Sequence, residues 1–449
     1  MQAEERDVEG LLDQFDQIFF VGRVEHRHLI PCLAQGAGGS LARLNRYSAL
    51  TTRTAVQQGD LGFRWIDAHN SFFYRMTGCS ICLNSALSIP KRANGFRIML
   101  GMSTAFETYG IGEIRSLIGE LSQPAFRAKQ VIGWVYNKGV TSFDDMSNVP
   151  RVLREALAEH APLHIPEIVD KQVSVDGARK YVLSLADGAR VETVGIPSRD
   201  TASDGAPRRL TVCFSTQVGC PMACSFCATG KEGFTRNLLP GEMIQQVLTV
   251  QRDFDARVSN VVAMGQGEPF LNYDNVVKAL RIMNSDLALG IGARHVTVST
   301  CGIIKGIDAF AHEPEQFTLA LSLHSAIQST RDRIMPKCVG TPLADLKQTL
   351  DSYYRVSTRR PSIEYLMMRD INDGEHDLKA LLDFCDGLFV HVNLLPMNEI
   401  EGSPFHPSRP AVVDHWIRTL NRNGIEANVR DSRGSDIDGA CGQLKNRIG

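Results

Sequence analysis

No uncharged apolar run in the sequence approaches the ~20 residues that a membrane-spanning helix needs, which argues against an integral membrane protein of that kind. The N-terminus, "MQAEERDVEGLLDQFDQIFF", carries acids where a secretion signal carries basic residues, and no long apolar stretch follows them. A cytoplasmic location is the expectation. A dominant charge is missing too: 48 Lys and Arg against 50 Asp and Glu give a net charge of −2. The chain therefore has no global basic signature of a protein that coats nucleic acid, although a local basic patch remains open. Its eleven cysteines are odd in number and lack the dense, regular spacing of a secreted disulfide scaffold. In a reducing compartment such thiols serve as metal ligands, catalysts or core residues. At 449 residues, 43% hydrophobic and 22% charged, the composition is that of a folded chain with room for one large domain and one or two small ones.

Residues 1–107 show no sustained helical or strand period, so little packed structure is expected there. The stretch holds a lone CxxC, Cys79 and Cys82, which reads as incidental thiols without a second pair. Met99 and Met102 precede a change in character. The functional chain is expected to begin near them, leaving the first hundred residues dispensable. Residues 108–165 place apolar residues at three- and four-residue steps in "GIGEIRSLIGEL", "PAFRAKQVIGWVYNKG" and "SNVPRVLREALAEH", a small helical accessory domain. Residues 166–208 switch to near-alternation, with Asp-Gly at 176–177 and 187–188, the signal for successive β-hairpins. From 209 to 449, six strand-then-helix units follow, with strands in "RLTVCFST", "VSNVVAM", "RHVTVST", "FTLALSL", "SIEYLMM" and "VHVNLLPM". The fold class is therefore α/β: a partial (β/α)6 barrel preceded by a helical domain and a short antiparallel extension. Chemistry in such a barrel sits at the C-terminal ends of the strands.

Directly after the first barrel strand comes "CFSTQVGCPMACSFCATG". Cys220, Cys224 and Cys227 form CxxxCxxC on a loop with Gly219 and Pro221. Thiolates on short loops hold iron–sulfur clusters, usually four at a time. Three would leave one iron of a 4Fe–4S cluster open to bind and activate a ligand. The alternatives are a zinc site, for which no companion cysteine pair follows at suitable spacing, or three core cysteines.

CxxxCxxC at the start of a βα barrel resembles the signature of the radical S-adenosylmethionine superfamily, whose open iron chelates S-adenosylmethionine and whose reductive cleavage of it gives a 5′-deoxyadenosyl radical. "GQGEP" at 265–269 resembles the superfamily's glycine-rich element. More narrowly, "VCFSTQVGCPMACSFCATGKEGFTRNLLPGEMIQQV", "MGQGEPFLNYDNV", "VTVSTCGI", "LALSLHSA", "HVNLLPMN" and "RGSDIDGACGQL" resemble the RlmN family, adenine-C2 methyltransferases of 23S rRNA and, in some members, tRNA. The likeness runs from about residue 108 to the C-terminus. Two departures stand out: Gln266 occupies a position that is commonly methionine, and the loop between Glu192 and Cys213 is longer than usual. Neither is expected to touch a catalytic residue, while the loop is free to alter RNA contacts.

What the resemblance implies is a two-stage reaction. One S-adenosylmethionine methylates Cys441; a second yields the radical that takes a hydrogen from that methyl group, and the resulting carbon radical adds to adenine C2. Glu192 matches the general base, and Cys213 matches the thiol that resolves the protein–RNA adduct by forming a disulfide with Cys441. The resemblance assigns cofactor contacts to Gly267, Glu268, Ser299, Ser322, Leu323, His324 and Asn398, all at strand ends where the barrel argument also places the site. Without it, His324 reads as a core histidine, Ser299 as a helix cap and Glu192 as a solvated strand residue. Cys301, Cys338 and Cys385 read as structural. Lys231, Arg236, Arg127, Lys129 and Lys138 are candidate phosphate contacts or a solvated face, and a flipped-out adenine is expected. The implied partners are 23S rRNA, tRNA and an electron donor such as flavodoxin or ferredoxin, with no membrane and a monomeric chain. Rival readings are a Cfr-type enzyme methylating adenosine C8, and an RNA-binding protein that holds a cluster without catalysis.

Overall fold

A computed structural model describes residues 63–68, 71–76, 104–201, 207–398 and 403–445. Cys79, Cys82, Met99 and Met102 lie outside the described residues. Within the first hundred residues, strands β1 (Phe63–Ala68) and β2 (Ser71–Met76) pair as an antiparallel hairpin.

Helices α1 (Ile111–Glu120), α2 (Phe126–Ile132) and α3 (Arg151–His160) form the next unit. Their apolar spacing puts Ile114 and Ile118, Val131 and Ile132, Leu153 and Leu157 into one buried core. Just ahead of α1, Glu107 is fully buried and accepts from Gln245 Nε2 at 2.5 Å. Gln245 lies on a barrel helix, Pro240–Phe254, so this polar contact joins the helical unit to the barrel. Burial pushes the Glu107 carboxyl up to about 7, against hydrogen bonds from its own and the His164 backbone and from Gln245, and against the nearby Arg252.

Strands β3 (Glu167–Val173), β4 (Arg179–Ser184) and β5 (Arg190–Pro197) are the anticipated antiparallel extension. Its two Asp-Gly turns are built alike: Asp176 accepts from Ala178 N and Asp187 from Ala189 N, while Gly177 and Gly188 take φ of +86° and +81°. The extension is continuous with the barrel, because β5 pairs antiparallel with β6 (Leu210–Cys213). A small hairpin of β7 (Gln217–Gly219) and β8 (Phe234–Asn237) follows, with a short helix, α4 (Ala228–Glu232), between them.

The remaining barrel strands are β9 (Asn260–Ala263), β10 (Val296–Thr300), β11 (Thr318–Ser322), β12 (Ser362–Met367) and β13 (His391–Pro396). With β6 they make the six parallel strands read from the sequence. A seventh parallel strand, β14 (Ala427–Val429), closes the order β14-β13-β12-β11-β10-β9-β6-β5-β4-β3. It escaped notice because three residues carry no readable alternation.

Cross-strand register determines which residues share a face. One row runs Lys180, Val194, Cys213, Val262, Thr297 and Thr318 across β4, β5, β6, β9, β10 and β11. Further along, Ser322, Glu364, Asn393 and Asn428 continue that face across β11 to β14. The opposite face carries Val261, Val298, Leu319, Leu321, Ile363 and Val392, all buried in the main core. The polar face is thus the barrel lumen and the apolar face takes the helices.

Glu107 gives a stability prediction. A buried carboxyl with a raised pKa contributes stability that is fully present below its unfolded value near 4.5 and is lost as pH rises to about 7. Glu107→Gln is expected to gain on the wild type by about 1.4 kcal/mol per pH unit across that window, roughly 3 kcal/mol in all, and to hold the gain above it. Urea unfolding of both proteins at several pH values checks this.

Candidate active site

The three loop cysteines converge. Ionisation of Cys224 is opposed first by burial and then by Cys227, Cys338 and Cys220. Burial pushes Cys220 up to about 12, with Cys227 adding to it. The thiols pack against an apolar set that includes Met222, Phe226, Ile334, Met335, Leu366, Met368 and Met397. Cys301 and Cys338 belong to the same set, and Cys338 Sγ lies 3.6 Å from the Cys301 carbonyl oxygen, whereas Cys385 is buried in the main core. Among the described residues no group of His, Cys, Asp and Glu donors fits a single metal ion. Tetrahedral zinc gathers its thiolates at ~2.3 Å from one centre, while cluster thiolates each bind a different iron and need no such tight knot. Three mutually repelling thiols in an apolar envelope fit an iron–sulfur cluster.

The loop is held by its hairpin. Gly219, at φ +74°, lies so close to β8 that an added Cβ would fall 2.0 Å from the Gly233 carbonyl oxygen. Cys220 N donates to that same oxygen at 2.7 Å. The "GQGEP" loop packs as closely: a Cβ on Gly265 would meet the Phe214 backbone at 2.8 Å, and one on Gly267 the Gln217 side chain at 2.7 Å. Gly267, at φ +107°, also adopts backbone that disfavours a side chain.

Around the mouth, Glu268 accepts from Phe270 N at 3.0 Å and Cys301 N at 2.8 Å, so its carboxylate braces two loops. Ser299 and Ser322 hydroxyls are 3.1 Å apart. Leu323 is buried beside them, its amide donating to the Glu364 carbonyl oxygen. His324 Nδ1 accepts from Leu366 N at 3.1 Å, and its ring meets Phe226 edge-on at 4.9 Å between centroids. Burial, then Arg331, lowers its pKa to about 3, so the ring is neutral with its proton on Nε2. Asn398 Nδ2 donates to the Cys441 carbonyl oxygen at 3.4 Å.

The C-terminal segment lies over this mouth. Arg433 and Gly434 N bond Asp176, and Asp436 accepts from Ser174 Oγ and Val175 N, which pins "RGSD" to the first Asp-Gly turn. Ala228 N then donates to the Gly442 carbonyl oxygen at 2.7 Å and Thr229 Oγ1 to that of Leu444 at 2.8 Å. Leu444 packs on Val194 and Cys213. Cys213 is buried and Cys441 exposed, both as free thiols. Burial pushes Cys213 up to about 12; Cys441 adds to the rise, and Arg430 opposes it. Arg430 Nη1 sits 3.3 Å from Glu364 Oε2 and 3.2 Å from Met264 Sδ.

Glu192 is buried on the same lumen face. Burial raises its carboxyl to about 7, with Lys180 opposing. The β5–β6 ladder ends at Val194 and Cys213, and beyond it side chains take over for β5: Glu192 N donates to Gln266 Oε1 at 3.1 Å and Ser215 Oγ donates to the Glu192 carbonyl oxygen at 2.6 Å. The expectation that Gln266 touches no catalytic candidate is therefore corrected: it holds the Glu192 backbone. Residues 202–206 of the longer loop lie outside the described residues. Among the basic candidates, Arg236 is committed to Glu242 and Asp187, and Arg127 to Gln130 and the Asn148 carbonyl oxygen. Lys129, Lys138 and Lys231 are exposed. Sequence reasoning missed Lys180, Arg430 and Ser215; counting the register back from the second Asp-Gly turn would have found Lys180 beside Glu192.

A parallel barrel whose first loop gathers three thiols defines a radical S-adenosylmethionine protein, a class that uses an iron–sulfur cluster and S-adenosylmethionine. The Radical SAM superfamily profile matches residues 214–385, and that of the ribosomal RNA large subunit methyltransferase N-terminal domain matches 111–163. A probable dual-specificity RNA methyltransferase RlmN of Clostridium novyi is 40% identical over 338 residues, covering 75% of this chain and 96% of that protein. One from a Synechococcus species is 44% identical over 367 residues, covering 80% and 97%. The crystal structure of a radical SAM methyltransferase from Sphaerobacter thermophilus superposes with a TM-score of 0.72 at 36% identity, covering 76% of this chain and 99% of that one. The chain belongs to the RlmN family.

Gly219→Val is expected to force the β7–β8 hairpin apart at the Gly233 contact and to cut iron and sulfide per chain several-fold after reconstitution. Metal and sulfide analysis against the wild type measures it, and wild-type loading in the variant would refute it.

Proposed function

We propose that this chain methylates C2 of adenosine in 23S rRNA and in tRNA by a radical mechanism, with Cys441 as the carbon carrier. The observation that carries this reading is the fold-back of the C-terminal segment, which brings Cys441 to Cys213 and to the cysteine loop from more than two hundred residues away. The relatives' names, probable dual-specificity RNA methyltransferases, support it.

Cys220, Cys224 and Cys227 would hold a 4Fe–4S cluster; Gly267, Glu268, Ser299, Ser322, Leu323, His324 and Asn398 would surround S-adenosylmethionine. When bound, these groups supply the methyl carbon and the radical that activates it. The chain's own residues do the rest. Cys441, exposed at the mouth, presents the carbon to the adenine. Glu192, with its carboxyl near neutrality, takes the proton from the substituted C2. The surplus electron of the radical adduct would return to the cluster; Cys213, having lost its proton, then attacks the sulfur of Cys441, the sulfur–carbon bond to the RNA breaks as the sulfur–sulfur bond forms, and its electron pair stays on the methylene carbon, where uptake of a proton completes the methyl group. In this reading the chain acts in the cytoplasm as a monomer and draws electrons from a flavodoxin or ferredoxin.

Nucleoside mass spectrometry of rRNA and tRNA from cells with and without the gene tests the assignment: 2-methyladenosine is expected to depend on it, and 8-methyladenosine as the main product would overturn it. Cys213→Ala is expected to accumulate a covalent protein–RNA species visible by denaturing electrophoresis, with release of methylated RNA reduced at least ~100-fold. Normal turnover by that variant contradicts the resolving role.

A further inference from the structure

A buried lysine beside Glu192 has no part in the reaction as proposed. Lys180 sits on β4, opposite Val194, and Glu192 on β5, opposite Val182. The two side chains are therefore diagonal neighbours on the lumen face. Lys180 Nζ lies 3.5 Å from Glu192 Oε1, with the two side chains only 4% and 1% exposed. Isolating an ammonium group and a carboxylate from water is costly, and removing one partner leaves the other charge uncompensated. The pair is also asymmetric, because Glu192 Oε2 is buried with no hydrogen-bond partner. One carboxylate oxygen is thus tied to a cation while the other has its lone pairs free. Both backbone groups of Glu192 are fixed by Gln266 and Ser215, so the residue has little freedom to turn.

We propose that Lys180 is a positioning residue for Glu192: it anchors Oε1 and holds the carboxylate ionised in a dry wall, leaving Oε2 to receive the proton. The inference rests on the reading of Glu192 as the base. Other groups facing Glu192 do not replace Lys180. The Lys445 backbone amide favours ionisation, Glu232 on α4 opposes it, and Gln266 and Ser215 are neutral. Without the lysine, burial and Glu232 act with only the amide against them. The carboxyl must then rise further, and the base is protonated at neutral pH.

The test uses reconstituted full-length holoenzyme and its RNA, following release of 2-methyladenosine from about pH 6 to about pH 9. Lys180→Met keeps an unbranched side chain one atom shorter and removes its charge. Its ascending limb is expected to move up by about one pH unit or more, with roughly tenfold slower release and accumulated covalent adduct at pH 7. Lys180→Gln is expected to shift the same way and serves if the methionine variant does not fold, while Lys180→Arg, which keeps the charge, retains the wild-type limb. Iron content and melting temperature of each variant are read alongside. An unshifted limb in both uncharged variants, with Glu192→Gln inactive at every pH, overturns the role of Lys180 alone. Normal turnover by Glu192→Gln overturns the base assignment and Lys180 with it.

Discussion

Everything at the mouth of this barrel depends on the capture of the C-terminal segment by the cysteine loop. Two hydrogen bonds, from Ala228 N to Gly442 and from Thr229 Oγ1 to Leu444, hold a stretch that would otherwise leave the barrel after β14. Each is worth only about 1 kcal/mol net. The segment holds because it is tied twice, first at the Asp176 turn through Arg433, Gly434 and Asp436, and then at α4. The stretch between the ties is short, so closing it costs little entropy. Leu444 then covers Cys213. Burial of Cys213 and the approach of Cys441 to it are two effects of one docking event.

The antiparallel extension is part of the candidate active site. Because β5 pairs with β6, the lumen face continues past the six parallel strands and carries Glu192 and Lys180 into line with Cys213. The extension also supplies Asp176, where the C-terminal segment is tied. Partial burial opposes ionisation of Asp176, but hydrogen bonds from Ala178 N, Gly434 N, Ser174 and Arg433 together outweigh it and hold its carboxyl down at about 2. The anchor therefore stays charged throughout the range in which the buried Glu192 changes state.

The six barrel strands were legible because alternation and glycine or proline punctuation are local signals, as were the Asp-Gly turns. The cysteine loop was legible as a candidate cluster site because the spacing of its thiols is itself a local signal. What could not be read is whatever depends on pairing at a distance. Lys180 in "GARKYVLSL" looks like any strand lysine until the register sets it beside Glu192. Gln266 looked like a neutral replacement in a loop. Its contact with Glu192 N exists only because β6 turns away after Cys213 and leaves that amide without a ladder partner. β14 was too short to announce itself, yet Arg430 just beyond it lies close enough to act on both Cys213 and Cys441.

Arg430 and Cys441 act on Cys213 in opposite senses, and that imposes an order on the proposed chemistry. With burial first and the Cys441 thiol second, the Cys213 pKa stands at about 12, so the resolving residue rests as a thiol. A thiol is a poor nucleophile towards sulfur, so Cys213 must lose its proton before it can attack the substituted Cys441 sulfur. Once the Cys441 sulfur carries carbon it can no longer become an anion, and its repulsive contribution disappears. The Arg430 guanidinium remains, fixed by Glu364 at 3.3 Å, and now favours the Cys213 thiolate with less opposition. In the proposed sequence this change comes with the methylation of Cys441, before the adduct forms, so Cys213 is already easier to ionise when the adduct has to be released.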